Sequence, residues 1–139
     1  MKLPHLAATA LFALQAATAL PVLAADLHVF TDEAHPVRGV PAGAVVVELD
    51  TAAQLEAELA ADLPGDADKA APIAQRRLEQ GGPELQRRLA AAYQGVTEAW
   101  SLGAAKVPAV VVAHRYVVYG EPDVSIALAR IAQYRKEHR

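Results

Sequence analysis

The apolar positions of this chain change period along its length, and the changes mark its elements. Leu27-His28-Val29-Phe30 is a short apolar run stopped by Thr31-Asp32-Glu33, which predicts a first strand ending at a sheet rim. Residues Thr31 to Gly43 then hold Pro36, Gly39, Pro41 and Gly43, a density of breakers that predicts mostly loop. Ala44 to Leu49 is nearly all β-branched and reads as a central strand buried on both faces.

Helical periodicity takes over after Asp50. Thr51-Ala52-Ala53-Gln54 fits a capping box, in which hydroxyl and amide side chains satisfy free N–H groups at a helix start. Leu55, Leu59 and Leu63 follow at helical spacing, which predicts a helix to about Asp62 before Pro64-Gly65. A second helix is expected from Asp66 or Ala67 to Gln80, and Gly81-Gly82-Pro83 separates it from a third running to Leu102. Leu85, Leu89, Ala92, Val96 and Trp100 give that third helix an apolar face, so Trp100 is expected in the core. Gly103 ends it.

The last third alternates again. Ala109 to Val112 and Tyr116 to Tyr119 are two β-branched runs joined through a turn at His114-Arg115, a hairpin that lacks the favoured Asn-Gly turn chemistry. Tyr116 and Tyr119 stand three apart and so point to opposite faces of their strand. Glu121-Pro122-Asp123 opens a final helix to about His138, with Val124, Ala127, Leu128 and Ile131 inward and Arg130, Arg135 and Lys136 toward its C-terminal end. Two strands, helices, a hairpin and a terminal helix predict an α/β domain with helices covering a small mixed sheet.

The first residues change this picture. Lys2, an apolar stretch from Leu6 to Leu20, and small residues ending at Ala24 have the form of a secretory signal, and the apolar run is shorter than the roughly 20 residues that span a bilayer. The expectation is a signal peptide over residues 1–24, cleavage near Ala24, and one periplasmic domain over residues 25–139 with no stable membrane span. A formal charge of −3 supplies no basic field to hold a polyanion, so nucleic acid is not expected as a direct ligand. The chain has no cysteine. Thiol–disulfide exchange requires a thiolate that attacks sulfur, so that chemistry is excluded whatever the fold.

A resemblance adds to this reading. The stretch Lys106-Val107-Pro108-Ala109-Val110-Val111-Val112 with its hairpin has the layout that carries the proline beside the active cysteines of thioredoxin-like proteins. Tyr93 to Gly103, Lys106 to Val112 and Arg115 to Val124, together with Val29-Phe30-Thr31 and His35-Pro36, resemble a family of exported proteins encoded by integrating conjugative elements. The likeness covers the whole chain after the signal, with its most specific motifs in the second half. It implies a thioredoxin-like domain of the cell envelope that serves conjugative DNA transfer, similar in outline to pilus-assembly proteins of F-type systems. By the same analogy Val107–Pro108 is a cis peptide. The rim formed by Thr31, Asp32, His35, Pro36, Val107, Pro108 and Ala109 then binds an extended segment of a protein of the transfer apparatus by strand addition.

Other chemistry finds less support. His28, Asp32, Glu33 and His35 are residue types that hold metals, yet His28 lies within a strand and the acids beyond it, so solvated loop charges account for them better than a zinc site. Ser101 and Ser125 lack the strand-turn-helix context of a nucleophile. The expectation is therefore a binding or assembly component with no catalytic residue, metal or cofactor. A metal-dependent envelope hydrolase using the His28, Asp32 and His35 region, and a holdase chaperone for exported proteins, are the alternatives.

Overall fold

A computed structural model describes residues 26–138, so the predicted signal segment and residues 25 and 139 lie outside the described residues. The chain folds as a mixed α/β domain in the order β1 (Leu27–Thr31), β2 (Val45–Glu48), α1 (Thr51–Ala60), α2 (Ala67–Ser101), β3 (Ala109–Val112), β4 (Tyr116–Tyr119) and α3 (Val124–Glu137). The four strands form one sheet in the order β2-β1-β3-β4. β1 runs parallel to β2 and antiparallel to β3, and β3 runs antiparallel to β4. No helix among the described residues is long and apolar enough to cross a membrane.

Burial follows from β1 having a strand on each side and a helix layer on each face. Leu27 and Val29 point one way, into a cluster with Val110, Val112 and the α3 residues Val124, Ala127 and Ile131. Phe30 points the other way, against Ala109, Val111 and Ala99 of α2. A third cluster, Ala52, Leu55, Leu85 and Ala92, joins α1 to α2.

β2, expected at the centre, is an edge strand. Val45 and Val46 remain 43% and 46% exposed because β2 has a neighbour on one side only. β-branched residues favour a strand wherever a pleated, half-covered surface exists, so their density reports strand and not the number of neighbours. The parallel link from β1 to β2, residues 32–44, is irregular, as the prolines and glycines predicted. Its one regular feature is a bridge between Arg38 and Asp123 beside α3.

The helices hold three more differences. The cap position of α1 is Asp50, not Thr51, whose hydroxyl instead donates back to the Glu48 carbonyl at 3.0 Å. Gln54 donates to the Asp50 carboxylate at 3.0 Å, a bond between side chains, and no capping box forms because the Asp50 side chain caps no helix N–H. The second and third predicted helices are one element, α2, broken only at Gly82, which adopts φ 54° and ψ −153°. Asp66 caps its start by accepting from the N–H groups of Asp68 and Lys69.

Trp100 is 82% exposed and outside the core. The buried line of α2 is Leu85, Ala92, Gly95 and Ala99, with small residues where the helix meets the sheet. A Cβ on Gly95 would stand 2.6 Å from Cγ1 of Val47, so no large side chain fits on this face. Leu85 and Ala92 belong to both lines, and from Gly95 onward the buried line lies one residue, about 100° of helix, from the one that includes the indole.

The two predicted strands pair as a hairpin, but with Ala109 opposite Tyr119 and Val112 opposite Tyr116, one residue from the register that a two-residue turn at His114-Arg115 would set. Its left-handed residues are Ala113 and His114, not His114 and Arg115, and the Arg115 N–H closes the turn on the Val112 carbonyl at 3.1 Å. Tyr116 packs against the α3 cluster while Tyr119 is on the opposite face, as their spacing requires.

Candidate functional site

The end of the sheet where β1 finishes and β3 begins collects the residues expected to meet a partner. Phe30 pairs with Ala109, which sets Thr31 and Pro108 at the same rim. The Val107–Pro108 peptide bond is cis.

The first half of the rim is a tight turn built by local hydrogen bonds. Thr31 is buried, and its hydroxyl donates to the His35 carbonyl. The Asp32 carboxylate accepts from the His35 N–H at 2.8 Å and lies 2.6 Å from its Nδ1. The turn is then tied across the chain, because Leu49 N–H donates to the Thr31 carbonyl and Glu33 N–H donates to Asp50 Oδ2, at 2.9 and 3.0 Å. Asp50 thus joins the rim to the start of α1, and its other oxygen is buried without a partner among the described residues. The sequence pattern gave no sign of this role, since Asp50 lies 17 residues from the amide it accepts.

The second half is held from below. The Pro108 carbonyl accepts from Gly120 N–H at 2.9 Å. The Tyr119 hydroxyl donates to the Gly103 carbonyl, which fixes the connection from α2 toward Val107. Pro108 and Ala109 are buried, so neither side chain is accessible, and the same holds for Thr31. Side-chain surface at the rim comes from Asp32, His35, Pro36 and the half-buried Val107. The backbone N–H and C=O of Val107 have no hydrogen-bond partner among the described residues.

His28 does not join this group. It is buried on the α2 face of the sheet, with Nε2 3.0 Å from Oε1 of Glu98 and its ring stacked on Phe30 and edge-on to His114. No three His, Asp or Glu side chains among the described residues converge to hold a metal ion. The oxygens of Ser101 and Ser125 donate to the carbonyls of Glu98 and Gly39.

The family described as Protein of unknown function (DUF1525) matches residues 24–137. The chain belongs to that family. No curated protein and no solved structure matches it. The DUF1525 match runs from before β1 to the end of α3, so the rim, its two supports and both faces of the sheet all lie within the family domain.

Proposed function

We propose that this DUF1525 protein is an exported, non-redox module of thioredoxin-like design that docks an extended segment of another protein as a binding or assembly component of conjugative DNA transfer. The observation that carries this reading is the rim itself. Val107 presents an N–H and C=O with no partner among the described residues two positions before β3, at the end of the sheet where the turn with the exposed His35 and Pro36 also lies. An extended backbone can satisfy both groups, and neighbouring side chains then select what binds. With no cysteine, such a rim retains docking and no sulfur chemistry. The link to conjugation rests on the resemblance of the second-half motifs, and export on the N-terminal pattern.

The test is photo-crosslinking in donor cells from a probe at His35, with a probe at the exposed Ala129 of α3 as control. A single discrete adduct at His35, absent at Ala129, is expected, together with a loss of transfer when the gene is deleted. A smear of many adducts would instead indicate a holdase. Transfer at full frequency in the deletion, or identical adducts from both probes, would overturn the proposal.

A further inference from the structure

The edge of the sheet opposite β2 is β4, and it borders a groove of about 500 Å³ against α3. Tyr116, Val118 and Ile131 line it, with Tyr134 and His138 at one end. Arg115 and Arg135 both line this space, their guanidinium carbons 5.5 and 5.1 Å from the Tyr116 ring centroid. Neither takes part in an ion pair among the described residues, whereas Arg130, also in the groove, lies 2.8 Å from Glu121. Cations near the C-terminus of α3 are expected from the helix dipole. Arg115 is not explained that way, because it comes from the hairpin and yet meets the same ring.

Two guanidinium groups at one aromatic ring in the same groove, neither in an ion pair among the described residues, in a chain of net negative charge, form a place for carboxylates. The backbone says in what form they arrive. Gly120 N–H bonds to Pro108, so in the alternation of an antiparallel pair residues 116, 118 and 120 turn their backbone groups toward β3. Val117 therefore turns its N–H and C=O outward, to an edge with no neighbouring strand among the described residues.

We propose that the open edge of β4 takes an extended acidic segment of another protein as an added strand. Its backbone bonds to Val117, and residues two apart face the groove. One carries a carboxylate to Arg115 and Arg135, and the other an apolar side chain to Val118 and Ile131. This surface lies at the far end of the sheet from Val107, so its success or failure is independent of the rim.

Fluorescence anisotropy of the purified protein with a labelled peptide of alternating Glu and Val tests it, against a Lys and Val peptide of equal length. The acidic peptide is expected to bind and the basic one not to. Arg115→Gln and Arg135→Gln each weaken binding about tenfold, the scale of one charge-assisted hydrogen bond. Val117→Pro removes the outward N–H and abolishes binding, and the two arginine variants carry the test where that change lowers stability. Equal binding of both peptides, or arginine variants that bind as the parent does, would overturn the proposal. Full competition by free glutamate would replace it with a small-anion site, and self-association lost in Val117→Pro would replace it with a second copy.

Discussion

Tyr93 on α2 donates its hydroxyl to the Glu56 carboxylate on α1, so one hydrogen bond between side chains ties two helices together at the surface. The carboxylate stabilises the protonated phenol, which raises the Tyr93 pKa above its ordinary 10.0. A folded-state pKa above the unfolded value means that this contribution is present at neutral pH and is lost as pH climbs through the raised value. Glu56→Gln should bring the Tyr93 titration back toward the ordinary phenol range. Ultraviolet difference titration, with Tyr93→Phe to identify the signal, measures the change, and an unmoved titration would show that the bond does not form. His28 makes a stronger residue-scale claim, because Glu98 is the one partner of its buried ring nitrogens. Glu98→Ala should cost about 1–3 kcal/mol, the desolvation of an imidazole left unsatisfied. Glu98→Gln keeps an acceptor oxygen and should cost less in the same denaturant titration.

The contact of α2 with β2 is set by the absence of a side chain. Gly95 brings the helix against Val47, and the alanine methyl would stand 2.6 Å from a Val47 carbon. Alanine adds up to about 1 kcal/mol of helix propensity and overpacking removes about 1–3, so Gly95→Ala should lower stability by about 1 kcal/mol. In a Val47→Ala background the obstruction is gone and the same change should be neutral or stabilising. Urea midpoints for the four proteins decide this, and a loss that persists without the Val47 side chain would sink the steric account. The same contact shows where sequence reasoning stops. Helical and strand periods recovered every strand and helix, because each reflects local chain geometry, except that they divided α2 in two at Gly81-Gly82-Pro83. The placement of β2 at an edge and of Trp100 in solvent depends on how closely two elements approach. For Trp100 that approach runs through Gly95 and Ala99, which weigh little in any reading that follows large apolar residues, and for β2 it is the pairing with β1 alone. At the rim, Asp32 and His35 were legible as loop residues, and the bonds that make them a tight turn were not. Asp50 was not, since nothing near it in sequence reveals the amide of Glu33.

Across the whole molecule, the irregular link of residues 32–44 is held by the start of α3, which closes the domain between positions far apart in sequence. Arg38 N–H donates to the Pro122 carbonyl and Val124 N–H donates to the Arg38 carbonyl, both at 2.9 Å. Asp123 serves both sides, with Oδ1 capping α3 on the N–H groups of Ser125 and Ile126 and Oδ2 3.1 Å from Arg38 Nε. Gly39 follows at φ 66°, where a side chain would press on Ser125 and Asp123. Removing Arg38's charge alone should matter little, because its side chain is 68% exposed, and such pairs contribute under about 1 kcal/mol. Asp123→Ala should cost about 1–2 kcal/mol through the lost cap. Its distinguishing effect is on exchange: amides of residues 35–40 and of the first turn of α3 should both exchange faster, while those of β1 and β3 do not. Faster exchange in α3 with the link unchanged would mean that Asp123 is a cap and nothing more. If both respond, then the turn from Thr31 to His35, which leads directly into this link, takes its position partly from α3. A rim that docks a partner would then weaken with Asp123→Ala although no docking residue has changed.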